Sequence, residues 1–276
     1  MVVGDYVEVK IEANACTIME CQKRQNEIFR FIVRERKKKV TASNVDCLLI
    51  VMAASKPEYK EGLVDRYLLR SQQWNVPAIV IFNKMDEAAD DFDIQFATER
   101  LKKIAPCFEI SAKNPDYKKR FLGNGLNELK EYLKGKTALF LGQSGVGKSR
   151  LITCLSDGKA ELLSNDLAKV GKGAHTTTWA EIIDCHHFEL IDSPGVRSMA
   201  IEDMDIESLN SYFPDIFPYI SQCQFSNCLH ESNSKGCAFT TLDPGNVENQ
   251  YLLSRLNSLK RFREELELTP SWQKKY

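Results

Sequence analysis

The feature that most limits what this chain can fold into is Gly142-Gln143-Ser144-Gly145-Val146-Gly147-Lys148-Ser149, a complete G-x-x-x-x-G-K-S loop. Residues 137–141 before it read as a buried strand and residues 146–155 as the opening of a helix. In that setting successive backbone amides and a helix N-terminus face an anion. Lys148 then reaches the β/γ phosphates of a nucleotide, and the Ser149 hydroxyl can ligate magnesium. The loop therefore demands an open α/β sheet around it. Its place halfway along the chain is unusual, because the residues before it already alternate strand and helix.

A second motif narrows the ligand. Residues 78–82 form an apolar run that ends in Asn83-Lys84-Met85-Asp86, an N-K-x-D tetrapeptide at a strand C-terminus, where open α/β sheets bind ligands. The Asp86 carboxylate can accept from both guanine N1–H and the exocyclic amine, a donor pair that adenine lacks. Lys84 can lie along the base, and Asn83 can tie this loop to the phosphate loop. An ATPase reading conflicts with Asp86. Residues 107–110 form another strand leading into Ser111-Ala112-Lys113, a small-residue turn placed to pack on the base from its other side. Strands at 46–52 and helices at 60–73, 93–104 and 126–133 complete the pattern of a parallel sheet.

Past the phosphate loop, His175-Thr176-Thr177-Thr178 follows a polar, glycine-bearing stretch, where a switch would supply a magnesium-ligating hydroxyl. Residues 180–183 and 188–191 read as strands, the second ending in Asp192-Ser193-Pro194-Gly195. That D-x-x-G puts a carboxylate near the metal shell and a glycine amide near the γ-phosphate. Cys185-His186-His187 is read as structural, since adjacent strand residues point to opposite faces.

The first 40 residues read as about three short strands at 5–11, 15–19 and 28–33, with a basic run from Lys23 to Lys39. A solvated sheet edge and a nucleic-acid contact both fit that run. The net charge of −1 gives no global attraction to nucleic acid. The longest apolar run falls far short of the roughly 20 residues that span a bilayer. Nine cysteines form no even secreted framework. Cys16, Cys21, Cys47, Cys107, Cys154 and Cys185 are expected as small buried hydrophobes in a reducing compartment, so a cytoplasmic protein with no membrane association is expected.

The guanine motif and Ser111-Ala112 precede the phosphate loop, the threonine run and Asp192 to Gly195, the reverse of the order in ordinary small GTPases. In this the chain resembles circularly permuted GTPases, and most closely the ribosome small subunit-dependent GTPase A (RsgA or YjeQ) family. Val3-Gly4-Asp5, Ala42-Ser43-Asn44-Val45-Asp46, Asp65-Arg66-Tyr67-Leu68 and Asp192-Ser193-Pro194-Gly195-Val196-Arg197 are further family-like stretches. The resemblance implies three parts: a shortened OB-like β domain at 1–40, a permuted α/β GTPase domain at 41–200 and a helical zinc domain at 201–276. Cys223-x4-Cys228-x-His230-x6-Cys237 is a closed Cys3His set suited to one structural zinc ion. Residues 204–213 and 247–266 read as helices around it. The second has a core stripe at Leu252, Leu256, Leu259 and Phe262, and a polar face with Arg255, Lys260, Arg261 and Arg263, either solvated or in contact with RNA.

The resemblance further implies GTP hydrolysed to GDP with magnesium, held by Ser149 and, by family alignment, Thr177. Partners would be the small (30S) ribosomal subunit and 16S rRNA during late subunit maturation, and the protein is expected to be a monomer. Val196 stands where many GTPases carry a water-orienting glutamine, as is usual in this family. His175 is then the candidate to orient water, unless the ribosomal partner completes the site. The competing reading is a nucleotide-gated rRNA scaffold in which hydrolysis is incidental.

Overall fold

The computed structural model describes residues 1–12, 15–32, 35, 37–114, 116–159, 181–192 and 200–268. At the N-terminus, β1 (Val7–Glu12) pairs antiparallel with β2 (Ala15–Cys21), and β3 (Glu27–Ile32) pairs antiparallel with β4 (Lys37–Ser43). Among the described residues there are four strands here, where the sequence suggests about three. β4 opens with Lys37-Lys38-Lys39, all exposed, so its first half has none of the apolar alternation that marks a strand. Its far end is buried. Ile28, Phe29 and Ala42 join the core of the main sheet, with Phe29 edge-on to Trp74 at 6.2 Å. The β1–β2 ribbon is exposed along nearly its whole length. Cys16 and Cys21 lie on it and are exposed, against the expectation of burial, whereas Cys47, Cys107 and Cys185 are buried and Cys154 is half-buried.

Two of the family-like stretches meet here. Ser43 N–H donates to Val3 O (2.9 Å), Asn44 Nδ2 to Gly4 O (2.7 Å) and Ser43 Oγ to Asp5 Oδ1 (2.6 Å). Gly4 has φ +88°, and a Cβ there would lie 2.0 Å from Ser43 O, so only glycine fits this crossing. The Asp5 carboxylate also takes two hydrogen bonds from Arg24, which hold it well below the usual carboxylate range. Asp46 Oδ2 then accepts from Thr137 N–H (2.7 Å), fastening the junction to the sheet.

The sheet follows as β5 (Cys47–Ala53), α1 (Glu61–Trp74), β6 (Ala78–Asn83), α2 (Ile94–Leu101), β7 (Cys107–Glu109), α3 (Leu126–Leu133), β8 (Thr137–Leu141), α4 (Lys148–Leu155), β9 (Glu181–Asp184) and β10 (Glu189–Asp192). Its order is β7-β6-β5-β8-β10-β9, parallel throughout except for β9, which pairs antiparallel with β10 at one edge. Every residue of β5, β6 and β8 is buried, as parallel strands covered on both faces require. α1 and α2 cover one face through Val64, Tyr67, Leu68, Trp74, Ile94, Ala97 and Leu101. α3 and α4 cover the other through Leu129, Leu133, Leu151, Ile152 and Leu155. Each of the leucine, isoleucine and valine side chains contributes about 1.5–3 kcal/mol on burial. Cys185-His186-His187 lies in the tight turn from β9 to β10, with His186 at φ +66°, and not on a strand.

Beyond Ala200 the chain forms a short 3-10 turn (Leu209–Tyr212), α5 (Phe217–Ile220), a second 3-10 turn (Ala238–Thr241) and the long α6 (Val247–Leu268). The helix expected at 204–213 is therefore mostly turn. Leu209 and Phe213, four residues apart and both buried, imitate a helical period while the chain bends around them. These residues, Ile201, Ile216, Phe239, Leu256, Leu259, Phe262 and Leu266 form a third core, which Leu69 of α1 enters from the sheet side. A buried ionic cluster seals the seam. Arg100 and Arg255 both donate to Asp65, and Arg255 Nε also donates to Asp215 (2.7 Å). Arg255 is thus 2% exposed and interior, not part of a solvated or RNA-facing surface. Among the described residues no helix is long and apolar enough to cross a membrane.

Candidate functional site

From β5 the chain goes outward to β6 and β7, then returns to β8 on the other side of β5 and continues to β10. β5 and β8 are therefore the neighbours at which the winding reverses, and ligands of open α/β sheets sit at the strand C-termini there. The loop Gly142 to Ser149 leaves the end of β8 at this point. Asn83 ends β6, Ser111 lies two residues past the end of β7, and Asp192 ends β10, the strand beside β8. Four motifs scattered from residue 83 to residue 192 thus reach one edge of one sheet.

Asn83 couples them. Buried at 2% exposure, it donates from Nδ2 to Val146 O in the phosphate loop (2.9 Å) and accepts at Oδ1 from Ala112 N–H (3.0 Å). The link from the guanine motif to the phosphate loop expected from sequence is present, and it extends to the Ser111-Ala112 turn. Two glycines of the loop allow close approaches here, the first of them to Asn83 itself. A Cβ on Gly147 (φ +95°) would lie 2.4 Å from Asn83 Nδ2, and one on Gly142 (φ +146°) would lie 2.4 Å from Val51 O. Ser111 is buried, and its Oγ accepts from Asn114 N–H (3.1 Å), which closes the turn.

Within the loop, Gln143, Ser144, Gly145 and Ser149 are exposed and Val146 is buried under them. Lys148 curls back so that Nζ donates to Gly142 O (2.6 Å) and Gln143 O (3.0 Å), placing its charge over the loop. At the base end Lys84 is left-handed (φ +63°), and its Nζ donates to Lys56 O. Asp86 Oδ1 is shielded from solvent and has no hydrogen-bond partner among the described residues. A shielded acceptor without a donor is costly, and guanine N1–H and N2–H are the donors that would satisfy it. Sequence reasoning missed the part of residues 54–60. Pro57 lies against Gly145 and the Lys56 carbonyl holds Lys84, yet nothing in that stretch resembles a motif. His175, Thr177, Gly195 and Val196 lie outside the described residues.

Comparison with known proteins agrees with this geometry. The family described as RsgA GTPase matches residues 21–202. The chain belongs to the RsgA GTPase family. It is 32% identical over 273 residues to a Bacteroides fragilis protein named small ribosomal subunit biogenesis GTPase RsgA, covering 96% of this chain and 84% of that one. It is 31% identical to the Flavobacterium psychrophilum protein of the same name, over 95% and 79% of the two chains. The crystal structure of YjeQ from Thermotoga maritima superposes with a TM-score of 0.73 at 27% identity, covering 98% of this chain and 86% of that one. YloQ, described as a circularly permuted GTPase, gives 0.70 at 27%, over 97% and 81%. The fold is that of a circularly permuted GTPase, and the family's activity is GTP hydrolysis.

In the C-terminal part, ligand atoms of Cys223, Cys228, His230 and Cys237 all lie within 4.8 Å of one another, a grouping found nowhere else among the described residues. His230 Nδ1 is 3.5 Å from Cys223 Sγ and 3.6 Å from Cys237 Sγ. A tetrahedral zinc ion with bonds of about 2.3 Å to sulfur and 2.05 Å to nitrogen requires a sulfur–nitrogen separation of roughly 3.5–3.6 Å, so the residues fit that ion. Burial, then the charges of Arg263 and Lys260, lowers the His230 pKa and favours the neutral imidazole that ligates metal. Burial pushes the Cys223 thiol up to about 11, so forming the thiolate there calls for a cation. We expect elemental analysis of the purified protein to give one zinc per chain, and Cys228→Ser to lose it together with the protease resistance of residues 200–268. Zinc-free protein of undiminished protease resistance would contradict this assignment.

Proposed function

We propose that this chain hydrolyses GTP to GDP and phosphate while bound to the small ribosomal subunit, and that it acts in late maturation of that subunit. The reading is carried by Asn83, which holds the phosphate loop and the Ser111-Ala112 turn in one site beside the unsatisfied Asp86 oxygen. The relatives named for small ribosomal subunit biogenesis support the partner. Asp86 selects guanine, Lys84 lies along the base, and Ser111 and Ala112 pack against its other side. Residues Gly142 to Gly147 present their amides to the phosphates, and Lys148 stabilises charge as it develops on the β/γ oxygens. Ser149 and Thr177 would hold magnesium through their hydroxyls, with Asp192 near them, and the ion would supply positive charge to the phosphate oxygens. Gly195 offers an amide to the γ-phosphate, and His175 orients the attacking water.

The three-part division at 40/41 and 200/201 belongs to this proposal, as do 16S rRNA as the contacted molecule, one structural zinc, a monomeric state and a cytoplasmic location. Intrinsic turnover of such sites is slow, on the order of 10⁻⁴ to 10⁻³ per second where the site is incomplete. Adding purified small subunits should raise the rate at least tenfold. A rate unchanged by saturating subunits would overturn the coupling.

A further inference from the structure

Glu109 carries the strongest observation that the proposed mechanism leaves unused. It is the last residue of β7, two before Ser111, and is 1% exposed. A carboxylate removed from water is costly unless fully hydrogen-bonded. Here both oxygens are engaged by one short segment: Oε1 accepts from Arg120 N–H and from the Tyr117 hydroxyl (3.2 Å), and Oε2 accepts from Phe121 N–H (2.8 Å) and Leu122 N–H. Three successive backbone amides wrapped on one carboxylate form an anion nest.

Besides this nest the segment is held by an exposed ion pair from Lys119 to Glu128 of α3 and by the Tyr117 N–H bond to Asn114 O (3.0 Å). Lys118, Lys119, Arg120 and Phe121 are exposed, Phe121 at 50%, and only Tyr117 and Leu122 pack on the core. Yet it runs along the base end of the site. Arg120 and Phe121 close one side of a cleft of about 630 Å³ whose other side includes Met85, Asp86, Ala88 and Ala89. Tyr117, Lys118 and Lys119 border a second cleft with Ser111 and Asn114. Tyr117 also lies close enough to Asp86 to feel its charge.

We infer that Glu109 is a positioning residue for guanine: by clamping the 117–122 strap it fixes the Asp86 and Ser111 loops around the base, and so sets how slowly nucleotide leaves. This rests on Asp86 reading guanine. Both Glu109 oxygens are taken by the strap and the side chain is buried, so its effect belongs on retention and KM, and not on kcat.

The test is stopped-flow release of fluorescent GDP from the full chain, together with steady-state GTP hydrolysis. Glu109→Gln replaces one acceptor oxygen of the nest by a donor. It should speed release ~10–100-fold and raise KM in parallel, with kcat at saturating GTP within about twofold of the parent. Tyr117→Phe removes one hydrogen bond and leaves the fold undisturbed; release should quicken about three- to tenfold. Unchanged release in folded Glu109→Gln, or in Tyr117→Phe should the first variant not fold, overturns the inference. So does a fall in kcat with KM unchanged.

An Asp86→Asn arm separates this inference from the reading beneath it. Asparagine can donate to the C2 carbonyl of xanthine, so preference should move from GTP to XTP. If Asp86→Asn still prefers GTP, the base-recognition reading fails and the inference falls with it. If preference switches while Glu109→Gln retains slow release, only the role of Glu109 is wrong.

Discussion

Lys148→Ala is expected to lower kcat for GTP hydrolysis by about 10²–10³-fold, the usual cost of removing one preorganised group aimed at developing phosphate charge. The side chain is already drawn over the loop by the Gly142 and Gln143 carbonyls, so little reorganisation separates its observed position from one on a phosphate. Its stem adds little to the cores, and the variant should fold with an unchanged denaturation midpoint. Single-turnover hydrolysis in the presence of small subunits is the measurement. A rate within threefold of the parent would remove Lys148 from the mechanism. If hydrolysis is abolished while small-subunit binding and release are unaffected, the scaffold reading of the chain gains at the expense of the enzymatic one.

The second large effect concerns stability. Asp65→Asn should cost about 3–5 kcal/mol, since it leaves the Arg100 and Arg255 guanidiniums buried without the carboxylate they share. Both arginines and Asp65 are at most 3% exposed, so solvent cannot compensate. Guanidinium titration followed by tryptophan fluorescence gives the midpoint, and a shift worth under 1 kcal/mol would show the cluster to be energetically neutral. The same cluster predicts a pH dependence. Burial alone would raise the Asp65 pKa, but Arg255 and Arg100 outweigh it and hold the carboxyl below its ordinary value. A group depressed in the folded state contributes stability above its unfolded pKa of about 3.9 and loses it as pH falls through the folded value. The parent should therefore lose stability below about pH 4 more steeply than Asp65→Asn.

Why some of this was readable and some was not follows from sequence distance. The phosphate loop, N-K-x-D and the Cys3His set are local patterns, each complete within fifteen residues, and their chemistry fixes their spacing. Their order along the chain already implied permutation, which the likeness of the fold to a circularly permuted GTPase bears out. The ion cluster was hidden because its members are 35 and 190 residues apart, and Arg255 on a long helix reads as surface until Asp65 and Asp215 are seen around it. Glu109 was hidden in another way: its partners are backbone amides, which every sequence has. β4 was concealed by its lysines, and the turn at 209–212 was misread because two buried residues four apart satisfy a helical period without a helix.

The seam also ties the C-terminal part to the sheet through α1. Arg70 of α1 binds the Ala200 carbonyl and both carboxylate oxygens of Asp203. Arg66, one turn earlier on the same helix, pairs with Glu265 of α6. Arg66 and Arg70 thus tie α1 both to residues 200–203 and to the helix that carries the C-terminal core.

The edge of the sheet that gathers Asn83, Asp86 and the phosphate loop is expected to bind and hydrolyse a guanine nucleotide. The direct test is kcat/KM for GTP against ATP on one preparation saturated with magnesium and small subunits. A site whose buried carboxylate needs paired donors should reject a base lacking them by about 10⁴-fold. Hydrolysis of GTP favoured by three orders of magnitude or more is the predicted result; rates for GTP and ATP within tenfold of each other would contradict it.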